Sequence, residues 1–390
     1  MRGQSLPSGA ASSRGFSLIE LMLSITLGLL ILAGLSSIFV NTSQSSRELR
    51  RTAEQIENGR YAVELMTQDL RHAGFYGELT KLPAVPASAD PCTLPASGAV
   101  SDTSNAALAL PIQVYPAAGL GSSDFASVPA ACAALIPSPA NLAPGSDIVV
   151  VRRADTVELL PLGTATAAVK ANTVYIQTTT DTADIQKPGA DGMIDNTQTA
   201  TGGSSTLKRT DFTGAAPVPP TQWPRIAAAI RRYRTHVYFV APCSVPNGGG
   251  SVCTGSADDL GKPIPTLKRL ELDTTGAFSI VPLAEGIQAI RAELGVDSAP
   301  TVADAGTGLI GDAIPDSYTH SPSAADMGNT VAVRLYVLAR NTEASPGYVD
   351  DKTYSLGTET TTATSDSFKR HVYGAETRIA NQAGRREIPK

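Results

Sequence analysis

The sequence predicts an α+β fold, with one long N-terminal α-helix packed on an antiparallel β-sheet domain. Three observations predict it. Residues 16–40 form an almost wholly apolar run. Residues 45–72 hold no proline and repeat apolar side chains at helical spacing. Beyond residue 75, short β-branched runs are separated by proline and glycine, of which the chain has 27 and 34.

The first 15 residues carry Arg2 and Arg14 and no acid, and they end on Gly15. They read as a leader that stays cytoplasmic. As a helix, residues 16–40 would be about 37 Å long, enough for a bilayer core of about 30 Å. One carboxylate, Glu20, stands in this run. An acid near the middle of a membrane helix costs about 2.5–3.5 kcal/mol, and less near its end. A cut after Gly15 would leave a free α-amine on Phe16, close to Glu20, and the two charges attract strongly in an apolar medium. A secretory signal has a shorter apolar core and a small-x-small cleavage site. Here Asn41-Thr42-Ser43-Gln44 follows instead. A plain membrane anchor explains the length, but neither Glu20 nor the glycine–aromatic junction. Arg47, Arg50 and Arg51 lie beyond the apolar run and compete with the leader for the cytoplasmic side.

The helix is expected to continue to about residue 72, with residues 41–75 as its amphipathic half. Leu49, Ala53, Ile56, Val63, Met66 and Leu70 predict the buried stripe. Arg50 with Glu54, and Arg60 with Glu64, are i,i+4 charge pairs for exposed faces. Gly59 is a weak point inside the run, and Gly74 suits a C-terminal cap.

Residues 76–390 form the predicted globular β-rich domain. With 42% hydrophobic residues the chain can bury a sizeable core. A net charge of -5 does not indicate a nucleic-acid surface. Strands are predicted at 147–152, 173–177, 236–240, 267–272 and 331–338. In the last, Val331, Val333, Leu335 and Val337 share one face. Ile226–Arg232 reads as a short extra helix. Residues 82–145, rich in Pro, Ala and Ser, read as a long ordered insertion. Residues 178–222, rich in Thr, Gly and Asp, read as a second surface excursion.

The four cysteines are Cys92, Cys132, Cys243 and Cys253, with no Cys-x-x-Cys pair among them. An even count in a domain outside the cytoplasm reads as disulfides, with three pairings open. Proximity favours Cys243 with Cys253, and then Cys92 with Cys132. No cofactor or metal site emerges. Gly306-Thr307-Gly308-Leu309-Ile310-Gly311 fits a phosphate-loop pattern but lacks its strand and helix. Asp184, Asp191 and Asp195 miss the spacing of a calcium loop. His72, His236, His320 and His371 show no zinc spacing, and no nucleophile elbow occurs. No enzymatic activity is expected.

Arg14-Gly15-Phe16-Ser17-Leu18-Ile19-Glu20-Leu21 resembles the prepilin signature shared by type IV pilins and type II secretion pseudopilins. The resemblance implies cleavage after Gly15, methylation of the new Phe16 terminus, and a role for Glu20 in assembly. Residues 57–66 and 69–77, with Gly59-Arg60-Tyr61-Ala62 and Ala73-Gly74-Phe75, resemble the PilW family of minor pilins. So do Leu283–Ile290 as that family's strand leading to a turn at Gly295-Val296-Asp297, Val331–Arg340 as its penultimate long strand, and Phe368-Lys369-Arg370 through Asn381 as its closing strand. Ala380 stands where that family usually has arginine. The resemblance implies a pilin-like fold and a minor pilin that primes assembly of a type IV pilus and sits near its tip. It implies the inner membrane, with a periplasmic C-terminal domain, and then the pilus as locations. The implied partners are other minor pilins, the major pilin and the prepilin peptidase, with a pilus-tip adhesin as a further candidate. The alternative is a J-type minor pseudopilin of type II secretion. A membrane-tethered periplasmic enzyme is the rival from another class.

Overall fold

The computed structural model describes residues 15, 17–96, 99–100, 102–119, 124–159, 166–168, 173–180, 182–188, 193–195, 208–210, 225–273, 276–298, 312–362 and 365–387. Helix α1 spans Leu18–His72. The chain divides into two compact units, residues 1–53 and 54–390. After α1 come β1 (Ala99–Val100), α2 (Asp102–Ala106), β2 (Ile112–Tyr115), β3 (Ile148–Ala154), β4 (Thr166–Ala168) and β5 (Tyr175–Thr178). Next are β6 (Ala183–Lys187), β7 (Met193–Asp195), β8 (Lys208–Thr210), β9 (Arg225–Ala227), β10 (Ile230–Ala241), β11 (Thr266–Leu272) and β12 (Phe278–Glu285). The remainder holds β13 (Ile287–Val296), β14 (Ser317–Thr319), α3 (Ala324–Gly328) and β15 (Thr330–Arg340). The chain closes with β16 (Thr353–Leu356), β17 (Glu359–Thr362), β18 (Arg370–Arg378) and α4 (Ala380–Glu387).

Two antiparallel sheets carry the larger unit. The first has eight strands in the order β1-β6-β5-β10-β11-β12, with β3 also on β10 and β2 on β3. Strand β10 is 12 residues long. Its Ile230–Arg232 pair with β5, and its Tyr233–Tyr238 pair with β3. The second sheet has four strands, β14-β13-β15-β18. Within β15, Val331, Val333, Leu335 and Val337 are all fully buried, as their period-2 spacing predicts.

The part of α1 that lies in this unit buries Gln55, Gly59, Ala62, Met66, Thr67, Asp69 and Leu70. Ala62, Met66 and Leu70 enter one core with Val149 and Val151 of β3, Tyr238 of β10, and Leu335 and Val337 of β15. Burying Met66 and Leu70 completely contributes about 1.5–3 kcal/mol each. The predicted stripe is therefore right at Met66 and Leu70 but out of phase earlier. Ile56 is 45% exposed and Val63 is only half-buried. Polar Gln55 takes the inner position because its amide donates to the Ala339 and Lys369 carbonyls at 2.9 and 3.0 Å.

Gly59 is a docking slot rather than a weak point. A Cβ there would lie 2.2 Å from Cε2 of the Tyr373 ring on β18. We expect Gly59→Leu to lower unfolding stability by about 1–3 kcal/mol through overpacking. This should occur although leucine is the better helix former by nearly 1 kcal/mol. The penalty should shrink in a Tyr373→Ala background, measured by urea unfolding as a double-mutant cycle. An undiminished penalty would show that the ring is not what the side chain meets.

Strand β3 is buried on both faces. Val149 and Val151 face the helix-side core, while Ile148 and Val150 belong to a second core with Val237 and Phe239. That second core also holds Cys92, Cys132, Cys243 and Cys253. The insertion at 82–145 thus covers the far face of the sheet. Cys92–Cys132 and Cys243–Cys253 are disulfides closing 40 and 10 residues. In the chain-entropy account these crosslinks stabilise by about 4 and about 3 kcal/mol.

The structure corrects three expectations. Ile226–Arg232 is not helical: Arg225–Ala227 pair with β8 and Ile230–Arg232 with β5. Leu283–Ile290 is not one strand, because the chain passes at Gly286 from the first sheet to the second. Gly286 has φ +74°, and a Cβ there would lie 2.5 Å from the Arg340 carbonyl oxygen. The excursion at 178–222 begins inside the first sheet, since Thr178, Ile185 and Gln186 are buried. Its residues 189–192, 196–207 and 211–224 lie outside the described residues.

Helix α4 was not expected from the sequence. It braces the turn that follows α1. Asn381 donates to the Ala73 carbonyl at 3.1 Å, and Arg385 to the Gly74 carbonyl at 2.7 Å. Gly74 itself adopts φ +72°, as its capping position requires.

Candidate functional site

The N-terminal unit exposes its apolar surface. Leu18, Ile19, Leu21, Met22, Leu23 and Ile25 are each at least 54% exposed, and the pattern continues to Val40. The helix is long and apolar enough to cross a membrane, and none of its most apolar window is buried. Two of its polar side chains are satisfied locally. Ser24 donates to the Glu20 carbonyl at 2.7 Å and Thr26 to the Met22 carbonyl at 2.8 Å. Such back-bonding hides hydroxyls that lipid could not solvate. Glu20 sits in the first turn, with its backbone N–H on the Ser17 carbonyl. There the helix dipole favours a negative charge by about 0.3–1 kcal/mol. The dipole offsets only part of the insertion cost, so a partner charge is still called for. Gly15 is exposed just before the helix, and Phe16 lies outside the described residues.

The globular unit holds its chemistry in buried clusters that tie elements together. Asp69 of α1 accepts from Arg153 Nε at 2.7 Å, His236 Nδ1 at 2.6 Å and the Tyr238 hydroxyl at 2.9 Å. Burial alone would raise the Asp69 pKa, but His236 and Arg153 reverse that and hold it well below the usual carboxylate range. Burial, with the Asp69 charge beside it, pushes the Tyr238 phenol up. Arg370 is paired with Asp350 and Asp366, where Tyr354 also donates to Asp350.

Two groups bring metal-type ligands together, Asp90 with Cys92 and Cys132, and Asp258 with Cys243 and Cys253. Their sulfurs are disulfide sulfurs, so no thiolate is on offer. Asp90 accepts instead from the Cys92 and Ala131 amides, and Asp258 from those of Asn247, Thr254 and Gly255. Asp184 lies in β6 and Asp195 in β7, while Asp191 and the 306–311 glycine loop fall outside the described residues. His320 meets Asp147. Sequence reasoning missed Asp69 and Asp147. Asp69 at least carried a signal, an acid placed among apolar neighbours on the helix.

Residues 11–36 match the prokaryotic N-terminal methylation motif, and residues 251–381 match the family described as Type IV Pilus-assembly protein W. Comparison with curated proteins and with solved structures yields no match. The second match covers β11 to β18 and so includes the whole second sheet. Both families are structural components of pili rather than enzymes. The motif with its exposed apolar helix indicates membrane anchoring and association with a pilus. The chain thus joins an N-terminus that matches the methylation motif to a C-terminal segment that matches the type IV pilus-assembly protein W family.

Proposed function

We propose that the protein is a minor pilin of a type IV pilus that primes assembly and ends near the tip. Prepilin peptidase would cut after Gly15 and leave a methylated Phe16. The chain would then stand in the inner membrane with residues 54–390 in the periplasm. The observation that carries this is the pairing of a methylation motif on an exposed apolar helix with a PilW segment at the other end of one chain.

The mechanism is packing in a medium without water. A subunit leaving lipid for a filament exchanges lipid contacts for those of neighbouring apolar helices. Glu20 and the Phe16 amine of an adjoining subunit would set the axial register, since an unpaired carboxylate there is costly. The other minor pilins and the major pilin are the partners in this scheme. A tip adhesin would dock on the globular unit.

Mass spectrometry of membrane material should find an N-methylated Phe16 terminus, and an intact Met1 start would contradict the scheme. Glu20→Ala should cut surface piliation on the order of tenfold, the equivalent of about 1.4 kcal/mol per contact. Assembly at the wild-type level would remove Glu20 from that role. Loss of twitching in a deletion strain supports the pilus, whereas loss of secretion points to a J-type pseudopilin.

A further inference from the structure

Strand β18 is an edge of the second sheet, with β15 beside it on one side and no strand on the other. Its register with β15 runs without a shift from Arg370 to Arg378. Bonds just past its two ends fix which backbone groups face outward. The Asn341 amide donates to the opposite Lys369 carbonyl at 3.0 Å, and the Ile379 amide to the opposite Val331 carbonyl at 2.8 Å. The odd-numbered residues of β18 therefore bond to β15. Arg370, Val372, Gly374, Glu376 and Arg378 turn their N–H and C=O groups away from it. Among the described residues, none of these outward backbone groups has a hydrogen-bond partner.

The other edges are short or guarded. Strand β14 has three residues. Strand β12 carries Pro282, and its register with β11 shifts between Leu267 and Lys268. Proline and bulges are devices that keep a second chain from adding to a sheet. Strand β18 has nine residues, no proline and no bulge. Charges on its outer face are already held, Arg370 by Asp350 and Asp366, and Glu376 by Arg334. At its centre stands Gly374, which is exposed. Nothing inside the molecule asks for glycine there. A Cβ would meet the Tyr336 ring at 3.4 Å and the Leu335 carbonyl at 3.9 Å, both ordinary contacts, and φ is not in the left-handed region. Glycine costs a strand about 0.5–1 kcal/mol. Inside a strand it marks a place where another backbone comes close.

Helix α1 supplies a flank beside this edge. Gly59 lies against the Tyr373 ring of β18, and the Arg60 charge reaches the Tyr373 phenol. Asn58, on the opposite flank, donates to the Glu285 carbonyl of β12 at 3.1 Å. Ile56, Arg60 and Val63 share one helical stripe on the β18 side. Ile56 is 45% exposed and Val63 is half-buried.

We propose that β18 takes an added strand from another polypeptide, an extended segment whose alternate apolar side chains rest on Ile56 and Val63 while its backbone fills the open ladder. Donors and acceptors repeating along a pleated edge are the complement of a second extended backbone, and main-chain bonds of this kind carry affinity by themselves. A second copy of this chain is a poor occupant. Helix α1 and β18 run the same way, since Gln55 meets the Lys369 carbonyl and Asn381 the Ala73 carbonyl. Two copies joined antiparallel through β18 would hold their α1 helices antiparallel, which two chains anchored by that helix in one membrane cannot do. Pairing β18 with the β12 edge of a copy would meet Pro282.

The test uses the full chain in detergent micelles and the end-blocked peptide Lys-Val-Thr-Val-Thr-Val-Thr-Lys. Hydrogen exchange is read by mass spectrometry over residues 370–378. Saturating peptide should slow the outward amides there about tenfold or more. Peptide residues that bond to β18 place their side chains on the outer face. With the valines on α1, the bonding residues are the threonines. N-methylation of the threonine amides should therefore weaken binding about tenfold or more, and N-methylation of the valine amides less than about threefold. Gly374→Pro removes only an outward N–H. It should abolish the added protection while the unliganded thermal midpoint moves by only a few degrees. Should that variant fail to fold, the two methylated peptides decide on the wild-type chain. Protection that rises with protein concentration in the absence of peptide would assign the edge to a second copy and overturn the proposal. Absence of protection, equal binding of the two methylated peptides, or undiminished protection in Gly374→Pro would overturn it as well.

Discussion

Asp147→Ala should destabilise the globular unit by about 3–5 kcal/mol, the usual cost of breaking a buried charged cluster from one side. Asp147 is fully buried at the start of β3, in the first sheet. Its carboxylate accepts from the Ala292 amide of β13, in the second sheet, at 2.9 Å. It also accepts from the Ala117 amide at 3.0 Å and from His320 Nε2 at 3.1 Å. The Asp147 amide donates to the Ile290 carbonyl at 3.0 Å, and the Ser146 hydroxyl accepts from the Ile290 amide at 3.1 Å. One dipeptide therefore stitches the two sheets edge to edge. Alanine would strand two buried amides, each worth about 1–3 kcal/mol when unpaired. Arg291→Met is the contrast. Nε and Nη1 of Arg291 make no hydrogen bond, and Asp147 keeps its two amides and His320 without it. We expect that change to cost less than Asp147→Ala, since the Asp147 carboxylate keeps two amides and His320 as partners. Urea unfolding of the detergent-solubilised chain measures both. Equal losses would mean that the ion pair, not the amide stitches, joins the sheets.

The parts of the fold that were legible in the sequence are those set by local pattern. Helix α1 follows from an apolar run and a stretch free of proline. Strand β15 follows from the alternation of Val331, Val333, Leu335 and Val337. Strand β3 follows from Ile148-Val149-Val150-Val151, though the run did not reveal that both faces are covered. What was illegible depends on partners far along the chain. Gln55 turns inward because carbonyls at 339 and 369 receive it. Gly59 looks like a flaw until Tyr373 fills its place. The turn at Gly286 looks like one more residue of a strand, because only the approach of Arg340 forces φ positive there. Helix α4 has a charged, short sequence, and its hydrogen-bond partners lie in the turn after α1, some 300 residues back. At the N-terminus the balance is reversed. Gly15, Phe16 and Glu20 stood out by residue type and spacing alone, because a membrane imposes its demands locally.

Asp69→Ala should cost about 3–5 kcal/mol by the same reasoning, and it carries a pH signature. The Asp69 carboxyl is held well below its ordinary value in the folded state, against a burial effect that alone would raise it. Its unfolded value is about 3.9. The contribution is therefore fully present above the unfolded value and is lost as pH falls toward the folded one. Unfolding midpoints taken between pH 7 and pH 3 should drop faster in the wild type than in Asp69→Asn, with the lines converging below about pH 4. Parallel lines would show that the carboxylate is not charged in the folded state, and the ion-paired picture of this site would fail. The distinction bears on how α1 is held. Asp69 is on α1, Arg153 on β3, and His236 and Tyr238 on β10. A carboxylate that must meet three donors on two strands admits one register, and the acid limb of the stability curve reads that constraint directly.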